Sequence, residues 1–191
     1  MKELVVLGGP NGAGKTTAAQ IVIPRKLDIA EFINADEIAR GLSPFNPDGA
    51  ALAAGRLMLQ RMRNLASGEQ SFAIETTCSG RGHLNFLRQC KNAGWRIIFV
   101  FLWLPSPQIA LDRVARRVAA GGHAVQPEIV VRRYWSGLRN MYSSYLPLAD
   151  VAAVYDNGGD EPILIAERIT GADLTVHDPE CWKSLVGEAS R

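Results

Sequence analysis

Gly9-Pro10-Asn11-Gly12-Ala13-Gly14-Lys15-Thr16 is the stretch from which the rest of this chain is read. It follows the apolar run Leu4-Val5-Val6-Leu7 and opens into Thr17-Ala18-Ala19-Gln20-Ile21. The pattern G-x-x-x-x-G-K-[ST] is therefore filled in the strand–loop–helix context it requires. Glycines at 9, 12 and 14 let the backbone take unusual dihedrals and come close to a ligand. Successive amide N–H groups can then form a nest for phosphate oxygens, and the N-terminus of the following helix adds partial positive charge. The nucleotide-binding candidates are thus Gly9, Pro10, Asn11, Gly12, Ala13, Gly14, Lys15, Thr16 and Thr17. Lys15 is expected to reach the β- and γ-phosphates, and the Thr16 hydroxyl to sit on Mg²⁺.

A chain of 191 residues is expected to form one domain, residues 1–191, with a sizeable core. Its 47% apolar and 21% charged content is ordinary for a globular protein. A formal charge of +2 gives no reason to expect nucleic acid or a membrane surface as partner. The basic residues are sixteen Arg against five Lys, and Arg suits bidentate phosphate recognition. Three widely spaced cysteines, Cys78, Cys90 and Cys181, argue against a disulfide scaffold or zinc site and suit a reducing cytoplasm. The N-terminus runs straight into a strand, so no signal peptide is expected. The longest apolar run, Ile97 to Pro105, is too short to span a bilayer.

Strands are expected at Leu4–Leu7, Glu31–Asn34, Ser71–Glu75, Arg96–Leu104, Val151–Tyr155 and Ile163–Ala166. Helices are expected from Gly14 to near Ile23, where Pro24 stops the first, then from an Asp48 cap to Ala66 and over His83–Ala93. Ser106-Pro107 starts another that ends at Gly121-Gly122, and Pro127 opens one reaching Tyr145. A terminal helix is expected around Asp178–Glu188. The alternation of strands and helices predicts an α/β fold: a parallel sheet with helices on both faces. Ligands bind such sheets outside the carboxyl ends of the strands. The phosphate loop, Asp36, Glu75 to Ser79 and Asp156-Asn157 all fall at such ends.

Asp36, at the end of a strand expected beside the first, can accept a proton from a substrate hydroxyl or hold a water on Mg²⁺. Glu75 closes its strand and can serve Mg²⁺ through water or orient substrate. Thr76, Thr77, Ser79 and Arg81 follow as polar contacts. Arg113, Arg116 and Arg117 lie on one helix, with Arg132 and Arg133 on the next. Gly121-Gly122-His123 between them gives the pattern of a mobile lid over about residues 106–146, its arginines neutralising a transferring phosphoryl group. Asn157, after the fifth strand, can border the nucleotide base. Trp95, Trp103, Trp135 and Trp182 read as packing residues.

Assembled, these motifs resemble the zeta toxin family of P-loop kinases, specifically its short bacterial members. The resemblance covers about residues 4–160 and rests on Gly9–Thr16, Ile33 to Ala39, Ile74-Glu75-Thr76-Thr77, the arginines from Arg113 to Arg133 and Tyr155-Asp156-Asn157. It implies a three-layer P-loop fold like that of nucleoside monophosphate kinases, with ATP (or GTP) and Mg²⁺ as cofactors. The implied reaction is transfer of the γ-phosphate to a UDP-N-acetylhexosamine, with a protein antitoxin as partner. On this resemblance Lys15 is the phosphate-loop lysine, Asp36 the general base, Glu75 a substrate-orienting acid and Arg113 the first lid arginine. Arg117 and Arg132 both remain open as the second. Thr76 and Thr77 join Asp36 and Glu75 on the acceptor side. The alternatives are a kinase of another nucleotide, nucleoside or sugar, or a partner-coupled ATPase with no small-molecule acceptor.

Overall fold

A computed structural model describes residues 1–19, 29–122 and 124–190. The strands are β1 (Glu3–Gly8), β2 (Glu31–Ile33), β3 (Phe72–Thr76), β4 (Arg96–Trp103), β5 (Val151–Asp156), β6 (Ile163–Arg168) and β7 (Thr175–Val176). They form one sheet in the order β2-β3-β1-β4-β5-β6-β7. The helices are α1, of which residues 15–19 are described, then α2 (Ala35–Leu42), α3 (Pro47–Ser67), α4 (Gly82–Asn92), α5 (Pro107–Ala119), α6 (Pro127–Asn140), the short α7 (Leu146–Leu148) and α8 (Pro179–Ala189). A π turn at Met141–Tyr145 joins α6 to α7. The end of the first helix near Ile23 and Pro24, and His123 of the expected hinge, lie outside the described residues.

β1 and β4 pair in parallel at the centre, where almost every side chain is buried. Strands covered on both faces carry continuous apolar runs, as Leu4 to Leu7 and Ile97 to Trp103 do. Around them Phe72 packs edge-on to Trp95 with centroids 5.7 Å apart, and Phe99 stacks on Tyr145 at 5.5 Å. Trp95 and Trp103 are buried, and Trp135 and Trp182 pack partly buried against the core, as expected of packing residues. The result is a three-layer α/β fold, its sheet mostly parallel and flanked by helices.

The structure corrects the sequence reading in four places. The sheet is mixed: β6 runs antiparallel to β5, and β7 antiparallel to β6. Only six residues join β5 to β6, too few for the dozen or more that a parallel crossover needs. Strand β2 lies beside β3, not beside β1, so Asp36 stands two strands from the phosphate-loop strand. Asn34 ends the strand reading early. Its side chain accepts from the Asp36 amide at 2.8 Å and caps α2, which puts Asp36 in the first helical turn. Asn46, not Asp48, caps α3, accepting from the Gly49 amide at 3.1 Å with Pro47 at the first helical position.

Candidate active site

The phosphate loop is shaped by contacts as tight as its glycines allow. Gly9 has φ +149°, and a Cβ there would lie 2.5 Å from the Leu102 carbonyl. Gly12, at φ +76°, would bring one to 3.0 Å from Ala110 O and from Arg113 Cβ. The loop therefore leans on β4 on one flank and on α5 on the other. Asn157 clasps it from the far end of the chain: its Nδ2 donates to Ala13 O at 2.8 Å, while its own amide donates to Trp103 O at 2.9 Å. The first N–H groups of α1 have no helical acceptor, as at any helix start.

Lys15 is 6% exposed and donates from Nζ to Pro10 O at 2.9 Å. Glu75 stands next to it, with Oε1 3.7 Å from the amine. The second oxygen of Glu75 accepts from Thr16 Oγ1 at 2.8 Å and from Asn34 Nδ2 at 2.9 Å. One carboxylate thus gathers the phosphate-loop lysine, the phosphate-loop hydroxyl and the α2 cap. This is possible because β3 is the immediate neighbour of β1. Burial lowers the Lys15 pKa, the Glu75 and Asp36 carboxylates oppose that shift, and Arg117 adds to it. Burial also pushes the Cys78 thiol up to about 12, so it stays protonated beneath the loop.

These groups line a cavity of about 530 Å³. Asn11, Gly12, Gly14, Lys15, Thr16 and Thr17 form its phosphate end, with Arg113 and Arg117 of α5 beside them. Asp36, Glu75, Thr76 and Thr77 line it too, so the residues expected on the acceptor side share one space with the loop. Arg113 and Arg117 share a helix face at i, i+4. Arg113 currently donates to the carbonyls of Gly158 and Gly159, at 3.0 and 3.2 Å. Arg132 is exposed and does not line the cavity, whereas Arg133 does; Arg116 is exposed as well. Gly9, Pro10, Ala13 and Asn157 support the loop without lining the cavity.

The helix carrying Arg133 is fastened to the loop that follows β3. Gly137, four residues on, lies against the Thr77 carbonyl with no room for a Cβ. Buried Asn140 donates to Cys78 O at 2.8 Å, and Tyr145 Oη to Gly80 O at 3.3 Å. Cys78 itself takes φ +57°, unusual outside glycine, and this turn leaves Thr77 and Ser79 facing the cavity. On the core side Val130, Tyr134 and Leu138 are buried, and Tyr134 donates to Leu104 O at 2.7 Å.

Sequence reasoning missed Asn34, Ala35, Glu37, Arg40, Met58 and His83 as cavity residues. Asn34 had a signal, since Asn34-Ala35-Asp36-Glu37 has the form of a helix cap followed by an acid three residues later. His83 had none; burial lowers its pKa and keeps the imidazole neutral at pH 7. Among the described residues no helix is long and apolar enough to cross a membrane.

A protein of Haemophilus influenzae, itself uncharacterised, is 30% identical over 133 residues, spanning 66% of this chain and 88% of that one. In structure the chain is similar to the AvrRxo1-ORF1:AvrRxo1-ORF2 complex with ATP, at TM-score 0.72 and 18% identity. That likeness takes in 97% of this chain and 63% of the matched one, so the chain spans less than two thirds of that relative. It is also similar to the PezAT chromosomal toxin–antitoxin system of Streptococcus pneumoniae, at TM-score 0.65 and 13% identity over 100% of this chain and 86% of that one. Identities this low speak to the fold alone. The model of the AAA domain family AAA_33 matches residues 4–139, well over half of the sequence and all of the cavity's elements from β1 to α6, and the chain belongs to that family.

Proposed function

We propose that this protein is a Mg²⁺-dependent phosphotransferase that moves the γ-phosphoryl group of ATP, or GTP, onto a hydroxyl of a small molecule. The observation that carries this reading is one cavity shared by Lys15, Thr16, Glu75, Asp36, Arg113 and Arg117. Lys15 exchanges the Pro10 carbonyl for β- and γ-phosphate oxygens, which supply the acceptors its buried ammonium lacks. Thr16 and Glu75 offer only oxygen donors, and Mg²⁺ fits such a pair because it keeps phosphate oxygens and waters for its other ligands. When bound, the ion supplies neutralisation of phosphate charge.

Asp36 holds the acceptor hydroxyl and takes its proton. The acceptor oxygen then bonds to the γ-phosphorus, the bond to the β–γ bridging oxygen breaks, and ADP leaves with that electron pair. Arg113 and Arg117 stabilise charge on the phosphoryl oxygens, Arg113 after releasing the Gly158 and Gly159 carbonyls. In this reading residues 1–191 act as one domain with a helical lid over about residues 106–146.

The acceptor we favour is a UDP-N-acetylhexosamine, by likeness to zeta toxins; another nucleotide, nucleoside or sugar would use the same mechanism. The likeness to a toxin–antitoxin system also makes a protein antitoxin part of the proposal. Free cysteines at 78, 90 and 181 suit a cytoplasmic setting.

The test is transfer from γ-labelled Mg-ATP to a panel of UDP-sugars, nucleosides and nucleotides. Asp36→Asn is expected to bind ATP normally and lose about 10²- to 10⁴-fold in transfer. Undiminished transfer by folded Asp36→Asn would refute that role. Release of free phosphate with no acceptor labelled would sink the kinase reading in favour of a partner-coupled ATPase.

A further inference from the structure

The amide nest explains the backbone of Asn11 and leaves its side chain unexplained. The residue is 4% exposed, and Oδ1 is buried with no hydrogen-bond partner among the described residues. Buried acceptors are nearly always satisfied, and an exception calls for a cause.

The place of Asn11 supplies one. Lys15 Nζ donates to Pro10 O, the carbonyl of the peptide that joins Pro10 to Asn11. That amine marks the position of the β- and γ-phosphates. Asn11 therefore leaves the backbone beside the terminal phosphoryl group. On its other side Gly12 touches α5 at Ala110 and Arg113. Asn11 thus lies between the lysine and the arginine helix, and it lines the cavity they share. A side-chain amide carries both an acceptor and donors, which is what a position between phosphoryl oxygens and a guanidinium can use.

We infer that Asn11 is a further catalytic residue: Nδ2 donates to an oxygen of the transferring phosphoryl group, and Oδ1 accepts an N–H of Arg113 or Arg117. This inference rests on the phosphotransferase reading. The bound phosphoryl group draws the arginine inward, and the amide fixes where it stops. The contact strengthens as charge spreads over the equatorial oxygens, so it acts on the transition state more than on nucleotide binding.

The test uses ADP, Mg²⁺ and aluminium fluoride, which mimics the transferring group and needs no acceptor. Affinities for ADP alone and for ADP with fluoroaluminate are measured by calorimetry on wild type, Asn11→Ala and Asn11→Asp. Wild type is expected to gain at least about a hundredfold from fluoroaluminate. Asn11→Ala is expected to bind ADP within about threefold of wild type and to lose about tenfold or more of the gain. Asn11→Asp, which keeps an acceptor but loses the donor and adds negative charge, loses at least as much. Unchanged ADP affinity also shows that the variants are folded. Full gain in both variants overturns the role of Asn11 and leaves the phosphotransferase reading standing. No gain in wild type overturns both.

Discussion

Replacing Glu75 with glutamine changes the site's electrostatics and almost none of its shape. Glu75 accepts two hydrogen bonds on Oε2, from Thr16 and Asn34, and faces Lys15 with Oε1. Glutamine cannot reproduce this. With its NH₂ at the Oε2 position it meets Asn34 Nδ2, which cannot turn round because Asn34 Oδ1 caps α2. With its NH₂ at the Oε1 position it meets the Lys15 ammonium. The first arrangement loses the charge-assisted hydrogen bond from Asn34, worth about 1.5–3 kcal/mol, and the second turns a 3.7 Å ion pair into two facing donors. Lys15 also loses its nearest carboxylate, and the side-chain exposures of 6% and 10% leave little solvent to screen the loss. Breaking a buried pair costs about 3–5 kcal/mol, less here because the amide keeps one acceptor. We expect a total of about 2–4 kcal/mol, a fall in Tm of about 5–15 °C for a domain of this size.

The pH dependence tests the cause. Glu75 raises the Lys15 pKa against burial, so the variant's Lys15 titrates lower still. Between the two folded-state pKa values wild type keeps its proton and the variant has released its own. There the variant's stability gains on wild type as pH rises. Thermal unfolding followed by circular dichroism from pH 7 to 10 should show the gap narrowing upward. A Tm within 2 °C of wild type at pH 7, or a gap that widens with pH, would refute the account of this carboxylate.

Two further expectations follow from where side chains stand. Arg133→Ala should cut phosphoryl transfer at least about tenfold, while Arg132→Ala stays within about twofold, measured as initial rates on the acceptor that takes label; equal losses would count against the placement of Arg133 in the cavity. Asn46→Ala should lower stability by about 1 kcal/mol through loss of the α3 cap, read from urea unfolding at constant m-value, and no change would return the cap to Asp48.

Much of the fold was legible because its signals are local. The phosphate loop is contiguous, the central strands are unbroken apolar runs, and Ser106-Pro107 and Asp178-Pro179 announce α5 and α8. Strand order is not local. Nothing near Asp36 states that β3 inserts between β2 and β1, yet that insertion is what gives Glu75, and not Asp36, the direct contact with Thr16. The antiparallel edge was readable from the short β5–β6 connection, a length that the strand–helix alternation obscured. The α3 cap was placed at Asp48, one residue past the Pro47 that opens the helix. That Arg133 and not Arg132 lines the cavity depends on the phase of α6, where Gly137 lies against Thr77, and spacing alone does not state that phase.

The clasp between Asn157 and Ala13 has a consequence for biogenesis. It closes a separation of 144 residues. Contacts so distant in sequence form late, because the entropy of closing a long loop comes before any gain from the contact. A ribosome that has finished the phosphate-loop sequence has made none of the strand that brings the clasp. The nascent protein therefore carries its nucleotide signature long before that loop is held in shape. The loop is held in its final shape only once the last parallel strand, β5, and the Asn157 that follows it have been made.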